Sequence, residues 1–162
     1  MDAEYTEAVK NYSEMVYRIA FVGTGNNSDA EDITQDVFMK LYKNRKKLET
    51  EEHRKAWLIK VTVNEIKLLK RSAWFRKRDG SAEIDVIKSD NDICVQTENK
   101  LVYDAVMKLE KNQRIAVILF YFYDYSCVEM SKMTGDKEAT IRTRLKRARE
   151  KLSTILKEEI QL

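Results

Sequence analysis

Proline is absent and glycine occurs only four times in this chain of 162 residues, so the two residues that most often break helices hardly intervene. Cysteine is equally scarce. Cys94 and Cys127 are too few for a disulfide framework, no signal peptide precedes the first charged residues, and a reducing cytoplasm is the expected compartment. A single histidine, His53, among Glu51, Glu52 and Arg54, has no Cys or His partner at ligand spacing, and no glycine-rich phosphate loop occurs. No metal or cofactor is expected, and little catalytic apparatus is left. The longest apolar run, IAVILFYFY from Ile115 to Tyr123, falls well short of the roughly 20 residues of a membrane helix. It predicts a helix buried on most sides, with a strand as the rival, and no membrane insertion.

Charge is plentiful but unevenly distributed. Charged residues make up 35% of the chain while the net charge is only +3. Residues 1–39 hold two basic and eight acidic side chains, net −6; residues 40–78 hold fourteen and four, net +10. Residues 79–98 return to −5, and residues 99–162 carry +4. Two basic blocks therefore alternate with acidic ones, a pattern suited to an anionic partner.

Apolar spacing places the helices. Val9, Tyr12, Val16 and Ile19 form one stripe, which the turn-rich stretch Gly23 to Ser28 ends. Ser28 and Glu31 have the spacing of a capping box, and Ile33, Val37, Leu41 and Tyr42 continue behind them as a second helix. A third, from about Glu52 to Arg71, carries Ile59, Val63, Ile66 and Leu69 on one face. Residues 79–97 lose this periodicity and collect Asp, Ser and Asn, which reads as an acidic linker; its segment EIDVI is too isolated to expect as a strand. Val102, Ala105, Val106 and Leu109 mark a fourth helix, and Ile115 to Tyr123 a fifth. The expected fold is all-α: a helical domain over residues 1–78, the linker 79–97, and a C-terminal domain over residues 98–162.

In the C-terminal domain Ser126 and Glu129 again have the capping-box spacing, and Gly135 interrupts the helix they begin. A second pattern follows through Ile141, Leu145, Ala148, Leu152 and Ile155. Helix, short glycine turn and helix is the layout of a helix-turn-helix, with small Ser131 letting the helices approach. The apolar stripe leaves Thr140, Thr143 and six cations, Arg142, Arg144, Lys146, Arg147, Arg149 and Lys151, facing outward. Only Glu150 is acidic within that run, so intrahelical pairing leaves most of its charge open to phosphates.

On these residues the chain resembles a bacterial RNA polymerase sigma factor of the small extracytoplasmic-function class. DAEDITQDVF, Asp29 to Phe38, resembles the polymerase-binding helix of that family; AWLIKVTVNEIKLLKRSAW, Ala56 to Trp74, its promoter-melting segment; Tyr125 to Leu152, its helix-turn-helix. The resemblance implies a non-catalytic specificity subunit whose partners are core RNA polymerase and promoter DNA. Such subunits are often held inactive by a separate anti-sigma chain, and this one is expected to be a monomer when free. The implied polymerase-binding residues are Ala30, Glu31, Asp32, Gln35, Asp36 and Phe38. Those for the minus-ten element are Lys60, Asn64, Lys67, Arg71 and Trp74. Those for the minus-thirty-five element are Ala139, Thr140, Arg142, Thr143, Arg144, Lys146 and Arg147.

The chain departs from the family pattern at Leu68, Thr134, Asp136 and Lys137. Asp136 offers a cap for the recognition helix one position early, which would change the residues facing the groove. The competing reading is an autonomous helix-turn-helix regulator binding an operator. It gives no reason for the AEDITQDVF helix and the basic, aromatic segment that follows it.

Overall fold

The computed structural model describes residues 3–76 and 100–160, with the side chains of residues 70–76 and 160 outside the description. The region read as an acidic linker lies outside the described residues. Two compact units divide the chain at residues 85 and 86. Every described regular element is helical.

In the first unit, α1 (Ala3–Thr24), α2 (Asn27–Asn44) and α3 (Glu51–Arg76) each pack against the other two. Their shared core holds Val16, Ile19, Val37, Leu41, Leu58, Ile59 and Val63, nearly all inaccessible to solvent. Thr62 is buried among them because its hydroxyl donates to the Leu58 carbonyl at 2.6 Å, which satisfies it within its own helix. A 3-10 turn, Arg45–Lys47, and the buried Leu48 close the path from α2 to α3.

The junction of α1 and α2 is tighter than the turn-rich stretch suggests. Gly23 and Thr24 still belong to α1, and Asn27 and Ser28 already belong to α2. Only Gly25, at φ 68°, takes the left-handed conformation, after which Asn26 turns extended and its side chain accepts the Asp29 N–H at 2.9 Å. Asn26 is thus the cap, and the expected Ser28–Glu31 box does not start the helix: Ser28 sits two residues too late, already inside the first turn. Gly23 serves packing instead. A Cβ built there would lie 2.6 Å from Ile66 Cδ1, so its missing side chain lets α1 approach α3.

In the second unit, α4 (Lys100–Met107), α5 (Lys111–Val117) and α6 (Cys127–Thr134) all pack on α7 (Glu138–Ile160). The core is Ala105, Leu109, Ile115, Leu119, Met130, Ile141, Leu145 and Ala148. Val102, expected on the apolar stripe of α4, is exposed. The short α4 ends on Arg114, whose buried guanidinium donates to the Met107 and Leu109 carbonyls, each at 3.2 Å. Burial lowers the pKa of that guanidinium.

The run from Ile115 is helical through Phe122, as its length implies, but α5 widens into a π turn over Ile118–Phe122. An added residue in one turn shifts the helical phase by about 100°. Ile115 to Leu119 are therefore buried, whereas Tyr121 and Phe122 are 52% and 53% exposed. Asp124, at φ 60°, then reverses the chain into α6.

Candidate functional site

The C-terminal site is built by local hydrogen bonding. At the start of α6 the Glu129 N–H donates to Ser126 Oγ at 3.1 Å, and the Ser126 N–H donates to Glu129 Oε1 at 3.0 Å. Both halves of the expected capping box are present. These bonds hold the Glu129 carboxyl below its ordinary pKa of 4.5, the backbone N–H of Ser126 contributing most. Gly135, at φ 79°, ends the helix, and its N–H donates to the Ser131 carbonyl at 3.0 Å. Ser131 ties the turn from the other side, its hydroxyl donating to the Asp136 carbonyl at 2.7 Å.

Helix α7 emerges from this turn with Ile141, Leu145 and Ala148 buried and its outward side exposed. Ala139, Thr140, Arg142, Thr143, Lys146, Arg147 and Arg149 are all exposed, and Arg144 is half-buried. Asp136 stands one residue before Lys137, whose carbonyl opens the helix. The Asp136 carboxylate accepts from Arg144 Nη1 at 2.7 Å, while the Ile141 N–H donates to the Lys137 carbonyl to close the first turn. Arg142 pairs with Glu138 one turn back, and Arg149 donates to the exposed Tyr121 hydroxyl at 3.1 Å.

The acids that moderate the cationic run thus precede it, outside the window counted in the sequence. Among the described residues, Lys146, Arg147 and Lys151 have no ion-pair or hydrogen-bond partner for their side chains. An open cleft of about 380 Å³ lies between the start of α5, with acidic Glu110 and then Asn112 and Gln113, and Thr140, Thr143, Arg144 and Arg147 of α7. Convergent hydroxyls and guanidinium groups in a cleft on a helix-turn-helix suit the acceptors of a DNA groove.

In the first unit, Lys60 and Asn64 are exposed on α3, Lys67 is partly so, and Leu68 is 52% exposed beside them. Spacings of four and three place Lys60, Asn64, Lys67 and Arg71 on one helical side. Arg71 and Trp74 belong to α3, but their side chains lie outside the described ones. Trp57 is half-buried. A cationic surface missed by the sequence reading lies at the end of α2, where Arg45 stacks over the Tyr42 ring at 4.0 Å beside exposed Lys43, Lys46 and Lys47. Its signal was available in the charge run beginning at Lys40.

On α2, Glu31, Asp32, Gln35 and Asp36 are exposed and form an acidic, polar face. Ala30 and Phe38 are buried in the core, so they fix the helix rather than present themselves to a partner. Lys40, one turn beyond Asp36, pairs with the largely buried Glu65 of α3 and orients that face on the bundle. Among the described residues no cluster of His, Cys, Asp or Glu could hold a metal, and no helix is long and apolar enough to cross a membrane.

Two helical units, one bearing a helix-turn-helix with an outward cationic face, define a DNA-binding protein as a class. Residues 8–76 match the model of sigma-70 region 2, and residues 99–152 match that of sigma-70 region 4. The chain belongs to the sigma-70 family, within its extracytoplasmic-function (ECF) group.

It is 27% identical over 158 residues to the ECF sigma factor SigE of Mycolicibacterium smegmatis, covering 94% of this chain and 61% of that relative. To SigM of Mycobacterium tuberculosis it is 25% identical over 154 residues, covering 94% and 76%. To SigV of Bacillus subtilis it is 27% identical over 141 residues, covering 86% and 83%. The fold is similar to that of the sigma factor RpoE of Bartonella quintana, solved with the anti-sigma factor NepR, at a TM-score of 0.76 and 24% identity over 96% of this chain and 98% of that one. It also resembles CnrH, solved with the cytosolic domain of CnrY, at a TM-score of 0.62 and 19% identity over 95% and 88%.

Proposed function

We propose that this chain is a dissociable initiation subunit of RNA polymerase, acting in the cytoplasm and carrying no catalysis of its own. Its N-terminal domain, over residues 1–78, docks on core polymerase through Glu31, Asp32, Gln35 and Asp36. Lys60, Asn64, Lys67, Arg71 and Trp74 of α3 bind and help open the minus-ten element. There an amide can pair with an unstacked base, a ring can stack on it, and cations can hold the backbone. The C-terminal domain, over residues 98–162, places α7 in the major groove of the minus-thirty-five element, with residues 79–97 as the connection.

The observation that carries this reading is that one chain holds both an exposed face of α7 after Gly135, where Thr140, Lys146 and Arg147 stand open, and an acidic, polar face on α2. A plain operator-binding regulator has use for the first feature but not the second. Because RpoE and CnrH were each solved with a second chain bound, a separate anti-sigma chain is also proposed as the partner that holds this subunit inactive. Released from it, the subunit is a monomer.

Copurification with core polymerase followed by promoter-directed runoff transcription tests the proposal. Exchanging Asp32 and Gln35 together for Lys is expected to weaken core binding with the helical content intact. Replacing Arg142, Arg144 and Arg147 with Ala is expected to abolish promoter-directed runoff while core binding persists. A folded chain that binds an operator but never core polymerase would establish the regulator instead.

A further inference from the structure

Two arginines of the recognition helix have acidic partners, and the two pairs differ in kind. Arg142 meets Glu138 on its own helix with 67% of its side chain exposed, an arrangement that water and salt largely screen. Arg144 meets Asp136 across the turn at 2.7 Å, and each side chain is only 25% exposed. Asp136 is itself built in. Its carbonyl accepts the Ser131 hydroxyl at 2.7 Å, and its N–H donates to Thr134 Oγ1 at 3.2 Å, with Thr134 buried behind it.

We infer that Asp136 is a positioning residue that makes Arg144 a reader of a guanine edge rather than a phosphate clamp. This rests on the reading of the second unit as a duplex-DNA binder. A phosphate approaching Arg144 would also approach the Asp136 carboxylate, and the two anions repel. A guanine edge offers two neutral acceptors, O6 and N7, whose separation matches the guanidinium fork.

Only Nη1 of Arg144 is engaged with Asp136 Oδ2, so other N–H donors remain for a ligand in the cleft that Arg144 lines with Thr140, Thr143 and Arg147. Holding the fork before DNA arrives removes part of the ordering cost of binding. Lys146 and Arg147, with no acidic partner among the described residues, are left to the phosphates.

The test is selection of upstream promoter elements from a randomised duplex by holoenzyme reconstituted with the full chain. Wild type is expected to enrich guanine at one upstream position by about five- to a hundredfold, the discrimination of one bidentate pair. Asp136→Ala and Arg144→Lys should each flatten that position and leave the others, since both break the oriented fork. Asp136→Ala should also bind random duplex more tightly, with a salt slope steeper by about 0.9 as Arg144 turns to a phosphate.

A purely structural Asp136 would weaken every position evenly. That result, or an intact guanine preference in folded Asp136→Ala holoenzyme, overturns the inference. Should Asp136→Ala not fold, Asp136→Asn and Arg144→Lys decide the matter on the same position. Upstream selection with no guanine position refutes the inference alone, whereas wild-type holoenzyme that selects no upstream sequence refutes the promoter-reading function and the inference with it.

Discussion

At Gly23 a single missing methyl group lets α1 approach α3. Alanine there would gain about 1 kcal/mol of helix propensity, yet its Cβ would fall 2.6 Å from Cδ1 and 3.1 Å from Cγ2 of the buried Ile66. Overpacking of this kind costs about 1–3 kcal/mol, and the β-branched Ile66 has few rotamers with which to retreat. Gly23→Ala is therefore expected to destabilise the chain in urea, by about 1 kcal/mol net. Shortening the neighbour with Ile66→Val should make the double variant more stable than the two single effects added together. Strict additivity would mean that the two side chains do not compete for that space.

The same scale shows why some residues were legible and others were not. Ser126 and Glu129 cap a helix as their spacing implies, while the equally spaced Ser28 and Glu31 do not. The difference lies upstream: Gly25 turns left-handed and presents Asn26 to the free N–H of Asp29 before Ser28 is reached. Ala30 and Phe38, grouped by resemblance with the docking residues, face the core. A motif records which residues occur together but not which side of the helix each one takes.

At the scale of elements, the helix-turn-helix depends on hydrogen bonds that respond to pH. Glu129 accepts the Ser126 N–H as a carboxylate, and its pKa is lowered by that bond and by the Ser126 hydroxyl. A lowered folded-state pKa adds stability that is fully present above the unfolded value of 4.5 and lost as pH falls through the folded one. The difference in thermal stability between wild type and Glu129→Gln should accordingly be constant near neutrality and shrink below pH 4.5. A difference unchanged down to strong acid would show that the carboxylate's charge does not matter to the cap.

Elements also explain the partial reading of the aromatic run. Its length and its flanks correctly indicate a helix rather than a strand, but a π turn leaves no mark in hydrophobic periodicity. The Tyr123 N–H reaches back to the Ile118 carbonyl at 3.1 Å, and the Tyr125 N–H to that of Leu119 at 3.0 Å. This widening carries Tyr121 outward, where its hydroxyl meets Arg149 on α7. Deciding between an α and a π turn is a matter of what packs on each side, which no single segment contains.

Across the whole molecule, the uneven charge distribution predicts how DNA binding responds to salt. Net charge is only +3, so long-range attraction must come from local surfaces. If Lys146, Arg147 and Lys151 each neutralise one phosphate, replacing any one with Ala should reduce the slope of log affinity against log salt by about 0.9. Lys43, Lys46 and Lys47 at the end of α2 offer a comparison in the other unit. Titrations of promoter DNA with holoenzyme across a salt series would measure both, and an unchanged slope would remove the residue concerned from the phosphate contacts.

The sequence by itself determined the all-helical class, two helical regions and a helix-turn-helix, because periodicity, the absence of proline and the Ser126 and Gly135 signals act within a few residues of one another. It also carried the three segments whose resemblance identifies an ECF sigma factor. Tertiary structure alone decided that Gly23 is a contact between helices, that Arg114 closes α4, and that Asp136 holds Arg144. Each of these joins groups on different elements, where distance in space and the cost of leaving a buried polar group or charge unpaired set the outcome.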